Sequence, residues 1–253
     1  MADSSGFGQL FAVMTDSYER RARLAPALLV LLPLIVAFMA AFKKELNTLE
    51  LMASVTVAGC APFLLSNLVR FRGKNLEKKL VAQWGAMPTT QLLRHRDDRV
   101  NPHLKARYHL IIREKLRVQL PSEAEELIDP ASADQAYSAA VSLLRERTRK
   151  EDSLLLHENA TYGFYRNMSA VRKIGIFSAL LGLAAGLLMS DVIGVAPPSF
   201  NPEALSSPGF SGAITLCVSL ILGAVWLTSF SHEMVEHAAF SYADRLLASL
   251  DRL

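Results

Sequence analysis

The chain has 253 residues, 51% of them hydrophobic and 20% charged, with a formal net charge of +3. Its apolar residues gather in four blocks with the charges between them, which argues against an ordinary soluble domain. Cys60 and Cys217 each lie inside an apolar block, which excludes a disulfide scaffold and a zinc site built on paired cysteines.

Residues 1–23 read as a cytoplasmic N-terminal segment. The first apolar block runs from Leu24 to Phe42 and contains Pro26 and Pro33. It ends in Phe42-Lys43-Lys44 without a small-residue cleavage site, so it reads as a retained span rather than a signal peptide. A second block runs from Leu51 to Val69, a third from Ile174 to Ser190 and a fourth from Gly212 to Phe230. None contains an Asp, Glu, Lys, Arg or His. Each is long enough to cross a hydrocarbon core of ~30 Å at about 1.5 Å per residue. The expected fold is therefore an all-α membrane protein. Four transmembrane helices form two hairpins, 24–69 and 174–230, flanking a helical domain at 70–173, with an amphipathic helix at 231–253.

Orientation follows the lysines and arginines near the span ends. Arg20, Arg21 and Arg23 precede the first span. Arg70, Arg72, Lys74, Lys78 and Lys79 follow the second, and Arg166, Arg172 and Lys173 precede the third. The loop from Asp191 to Ser211 has no lysine or arginine; the loop Lys43–Glu50 balances two lysines against two glutamates. Both termini and the middle segment are expected in the cytoplasm.

Residues 70–173 carry net charge +7, with +9 concentrated between Arg70 and Arg117. An acidic patch follows at Glu123, Glu125, Glu126, Asp129 and Asp134. The segment reads as helical. One helix continues the second span to Gly85, and Pro88 and Asn101-Pro102 interrupt the chain. Asn101 caps a helix running to Gln119, another starts at Asp129-Pro130 or Ser132, and a last one runs from Asp152 into the third span. Arg94, His95, Arg96, Arg107, Tyr108 and His109, with Trp84, form a basic and aromatic cluster. Two readings stand for it: a face attracted to anionic lipid, or a site where arginines grip phosphate and rings stack on bases. No Walker-type loop is present.

Tyr162, Gly163, Tyr165, Arg166 and Asn167 stand just before the third span and read as the junction that couples it to the helical domain. In that span Ser178, Gly182, Gly186 and Ser190 repeat every four residues, and Gly182–Gly186 is a GxxxG. In the fourth, Thr215, Ser219 and Gly223 do the same. Small residues on one face permit close helix packing, and the hydroxyls of Thr215 and Ser219 leave a polar path open as a second reading. His232 and His237 resemble a zinc-protease helix but stand five apart, about 140° around a helix, where a shared metal needs i and i+4. The tail presents Val235, Ala239, Tyr242, Leu246 and Leu253 as a stripe, suited to packing on the helical domain or on another subunit. No nucleophile–base pair, metal set or cofactor motif is present, so the expectation is a non-enzymatic protein without a cofactor.

The motifs Trp84-Gly85-Ala-Met-Pro88-Thr89-Thr90, Leu93-Arg94-His95, Asn101-Pro102, Ala106-Arg107-Tyr108-His109 and Glu158-Asn159…Tyr162-Gly163-Phe164…Arg166-Asn167 resemble a family of bacterial inner-membrane proteins. The whole is similar to the membrane effector of a Hailong-type anti-phage defence system. That resemblance implies an ion channel paired with a nucleotidyltransferase, whose short DNA oligomer holds the channel closed. It carries no residue roles with it. The expectation is a homo-oligomeric pore gated at the helical domain by an anionic nucleotide or oligonucleotide. Anionic lipid, and a nucleotidyltransferase with its short DNA or nucleotide product, are the expected partners, and duplex DNA is not. The alternative is a non-conducting membrane scaffold or adaptor that binds lipid or a partner protein through its basic face.

Overall fold

A computed structural model describes residues 16–42, 48–148 and 153–253, with the backbone alone for residues 48–58. The described residues are mostly helical, with almost no sheet, and divide between two compact units, Met1–Lys74 with Gly163–Ser231 and Asn75–Tyr162 with His232–Leu253. These boundaries lie five residues C-terminal and eleven residues N-terminal to the span ends at Val69 and Ile174, so Arg70, Arg72, Lys74, Arg166, Arg172 and Lys173 belong to the first unit.

The first unit begins with α1, Ser17–Ala41, longer than the predicted span by about two helical turns at its start. Asp16 caps it by accepting from the Tyr18 N–H at 2.8 Å. Pro26 has no N–H, so the carbonyl of Ala22 has no i+4 donor in the helix. The turn Arg20–Leu24 relaxes into a π-helix there. Helix α2, Thr48–Trp84, spans the second predicted block and runs on to the predicted end at Gly85. Within the first unit it buries Pro62, Ser66, Val69 and Gly73 on one face. Helices α7, Ser153–Met189, and α8, Gly209–Thr228, carry the third and fourth blocks.

Three described helices, α1, α7 and α8, are long and apolar enough to cross a membrane, as in a multi-pass membrane protein. Their outward faces are also apolar: Phe177, Leu180, Leu188, Leu220, Ile221 and Leu227 are exposed, a surface suited to lipid rather than water. The charges at Lys43, Lys44 and Glu45 lie outside the described residues.

The core of this unit joins Ala27, Val30, Val69, Met168, Val171, Leu222, Trp226 and Phe230. Close approach depends on the small residues. A Cβ on Gly175 would stand 2.1 Å from the Trp226 indole, and one on Gly182 would stand 2.3 Å from Ser219 Oγ and 2.8 Å from Pro33. Gly186 lies against Leu216 and Gly212 against Ser190. Between α7 and α8 the chain forms a short antiparallel hairpin, β1 Ile193–Val195 with β2 Pro198–Phe200, pairing Ile193 with Phe200.

In the second unit, Gly85 ends α2 at φ +80°. The Gln91 amide, from the short helix α3 Pro88–Gln91, caps that end by donating to the Trp84 and Ala86 carbonyls. Asn101 caps α4, Pro102–Ile111, as expected. This helix closes at Leu116, earlier than the predicted Gln119, because Arg117 turns into the left-handed region. The acidic patch forms a helix of its own, α5 Glu123–Ile128, opened by a Ser122/Glu125 capping box. Helix α6, Pro130–Thr148, starts where Asp129 accepts from the Ala131 and Ser132 N–H groups. It buries Ala133, Tyr137, Ala140, Val141 and Leu144. The tail helix α9, His232–Ala248, buries Val235, Ala239, Tyr242 and Leu246 and packs on α3.

Candidate functional site

The helical unit brings four of the predicted ligand residues together. Arg94 grips Asp134 with two bonds of 2.7 Å, Nε to Oδ1 and Nη2 to Oδ2. Arg96 reaches Glu126 at 2.7 Å and Asp134 at 3.0 Å. Glu126 also accepts from the His95 N–H at 2.8 Å and from the Tyr137 hydroxyl at 2.6 Å. The rings of His95 and His109 meet edge to face with centroids 4.8 Å apart. Each turns its Nε2 to a carbonyl, His95 to Pro121 and His109 to Leu93. Lys105, buried, donates to the carbonyls of Arg94 and Asp97 and so pins the segment between α3 and α4.

Burial favours a neutral Glu126, but hydrogen bonds from Tyr137, His95 and Arg96 and the charge of Arg96 outweigh it, so the carboxyl sits below its ordinary range. Burial lowers His109, with help from the charges of His95 and Lys105, against the Leu93 hydrogen bond and Glu126. Burial and the neighbouring Glu126 raise Tyr137, which stays a donor at any physiological pH.

The acidic patch therefore supplies counter-charges to the basic cluster. A phosphate arriving at Arg94 or Arg96 meets the carboxylates of Asp134 and Glu126 already paired with them. The other candidates lie elsewhere: Arg107 pairs with Asp251 at 2.9 Å, Tyr108 is buried, and Trp84 is half-buried at the end of α2.

The junction residues separate at the unit boundary. Tyr162, in the second unit, stacks on Tyr242 with planes 8° apart. Gly163, Tyr165, Arg166 and Asn167 belong to the first unit. Gly163 lies against Tyr18 and Ala22, and Tyr165 sits edge-on to Phe164. Arg166 and Asn167 are both buried, and Arg166 donates to Asn167 Oδ1. Asn167 Nδ2 donates to the Ala22 carbonyl that Pro26 leaves unpaired, and its Oδ1 occupies the space a Cβ on Gly73 would need. Arg172 donates to the Trp226 and Leu227 carbonyls, capping the last turn of α8.

The span residues all turn inward. Ser178 donates to the Val30 carbonyl. Thr215 donates to the Ser211 carbonyl at 2.8 Å, and Ser219 is buried against Gly182. Gly223 meets Ala179 in ordinary contact. His232 and His237 are exposed, and among the described residues no group of His, Cys, Asp or Glu could hold a metal.

One feature gave no sequence signal. A cleft of about 410 Å³ in the helical unit is lined by Arg145, Glu146 and Thr148 of α6, Leu155, Leu156 and Asn159 of α7, and Tyr242 of α9. Its residues come from 145–148, from 155–159 and from the tail at Tyr242, and of them only Asn159 and Tyr242 figure in the motifs and stripes above.

No family model, curated relative or solved structure matches the chain.

Proposed function

We propose that the protein is a four-span channel subunit of a bacterial inner membrane, with both termini cytoplasmic. It assembles with copies of itself into a pore whose helical domain senses an anionic nucleotide or oligonucleotide. The defence role follows from the family resemblance alone.

The observation that carries this reading is the outward face of α2. Cys60, Leu64, Asn67, Phe71 and Lys74 recur at spacings of four and three, and all are exposed. The opposite face, Pro62 to Gly73, is used up inside the protomer. With the second span at 51–69, Asn67 carries an amide into or near the hydrocarbon, where an unpartnered polar group is costly. A neighbouring copy or a water-filled path satisfies it. The small-residue faces of α7 and α8 are spent on each other and on α1, so a path enclosed by one protomer is the weaker form of the proposal.

The scaffold reading draws on a different observation: Arg70, Arg72, Lys74, Lys78 and Lys79 are all exposed and suit anionic headgroups. Ion flux through liposomes carrying the purified, correctly inserted protein separates the two. Flux switched by a nucleotide supports the channel. Absence of flux with and without nucleotides supports the scaffold.

A further inference from the structure

We propose that the cleft between α6, α7 and α9 is the nucleotide site of the helical unit, in place of the Arg94–Arg96 cluster. This rests on the ligand-gated reading above and gives it a location.

The choice turns on which cations are free. Arg94 and Arg96 have carboxylates at 2.7 Å, and Arg107 has Asp251. Arg145 lies exposed at the rim of the cleft and makes no hydrogen bond or ion pair among the described residues. The half-buried Asn159 amide is likewise unengaged among them, and offers both a donor and an acceptor. The same cleft is lined by Leu155 and Tyr242, both buried, and by Leu156, and Tyr242 stacks on Tyr162. An apolar and aromatic lining that also carries an unpaired guanidinium and an amide fits a planar base joined to a phosphate. The wall covers the ring, Asn159 bonds a base edge, and Arg145 forks onto phosphate oxygens. The volume lies within the usual range for small-molecule sites. Glu146 at the same rim opposes further negative charge, which limits the site to one nucleotide unit with few phosphates.

The full-length protein in detergent is titrated with the four ribonucleoside 5′-monophosphates, and with adenosine and inorganic phosphate as partial ligands. At least one nucleotide is expected to bind more tightly than either fragment. Arg145→Glu weakens it by about tenfold or more, the worth of a charge-assisted hydrogen bond. Glu146→Arg, at an equally exposed position, tightens it, an opposite sign that misfolding cannot produce. Arg113→Glu, exposed on the turn that follows α4, leaves the Kd unchanged. The assignment is overturned if no monophosphate binds at millimolar concentration, if inorganic phosphate binds as well as the nucleotides, or if both rim variants leave the Kd within about twofold. Liposome flux separates the two levels. Nucleotide binding that obeys the rim charges without any flux sinks the channel and leaves the site standing. Nucleotide-switched flux indifferent to Arg145→Glu and Glu146→Arg sinks the site and leaves the channel.

Discussion

Asn167 donates its side-chain amide to the backbone carbonyl of Ala22, 145 residues earlier in the chain. The bond exists because Pro26 withholds the N–H that would otherwise meet that carbonyl four residues on. Gly73 of α2 leaves the room that the Asn167 side chain fills, so three helices meet at one amide.

Replacing Asn167 with alanine leaves a buried carbonyl unpaired and should cost about 1–3 kcal/mol. The test is a double-mutant cycle with Pro26→Ala, read by thermal unfolding in detergent. Restoring the N–H at position 26 gives the Ala22 carbonyl its helical partner, so the cost of Asn167→Ala should shrink in that background. Equal costs in both backgrounds would show that the amide acts only by packing. Gly73→Ala should lower stability too, because its Cβ would stand 1.8 Å from Asn167 Oδ1.

The charged network of the helical unit makes acid sensitivity predictable in two steps. His109 has a folded-state pKa below its ordinary 6.5. The unfolded chain therefore binds a proton first, and stability falls as pH drops below 6.5. Glu126 has a folded-state pKa below 4.5, so its contribution is present above that value and is lost as pH falls through the lowered one. Unfolding temperature between pH 8 and pH 4 should show the first step in the native protein and lose it in His109→Phe. Glu126→Ala should remove about 3–5 kcal/mol at neutral pH, because Arg96 and Tyr137 lose a buried partner. A flat profile in the native protein would contradict the assignment of His109.

The apolar blocks are legible in the sequence because lipid fixes a length and tolerates no charge, and α1, α7 and α8 follow from that rule. The caps at Asn101 and Asp129 are legible because each uses a side chain next to the turn it closes. The charged network is not. Arg94 and Asp134 are 40 residues apart and Arg96 and Glu126 are 30 apart. A count of basic residues registers the cations and cannot register that folded carboxylates neutralise them. Asn167 is half legible: its place in a polar run before the third span suggests a junction, while its partner is a backbone carbonyl, which has no signature beyond the proline four residues on. The cleft at Arg145 is not legible either, since Tyr242 joins the 145–159 stretch only through tertiary packing.

If α2 faces α2 across the assembly, Cys60 supplies its own reporter. It is exposed on the outward seam, and Cys217 is exposed on α8. Bismaleimide treatment of membranes should give cross-linked multimers through Cys60, which Cys60→Ser abolishes and Cys217→Ser leaves intact. Replacing Asn67 with leucine should weaken assembly if its amide bonds a neighbour, and should alter flux without changing subunit number if it faces water. Cross-links through Cys217 alone would move the subunit contact to α8.

Gly175 offers the sharpest test of the packing inside the first unit. Its backbone lies under the Trp226 indole, and a single methyl there would stand 2.1 Å from ring carbons that are themselves buried. Neither partner can yield cheaply. The ring is wedged against Phe230, 5.1 Å away between centroids, and Arg172 ties the last turn of α8 to α7 through the Trp226 carbonyl. Gly175→Ala should therefore destabilise by about 1–3 kcal/mol, in line with other overpacked cores. Trp226→Phe, which shrinks the ring, should recover part of that loss in the double variant while costing stability alone. The indole Nε1 has no hydrogen-bond partner among the described residues, so the phenylalanine forfeits packing and no bond. Thermal unfolding of the four proteins in one detergent measures the coupling. Strict additivity would mean that the two residues do not touch in the folded membrane unit.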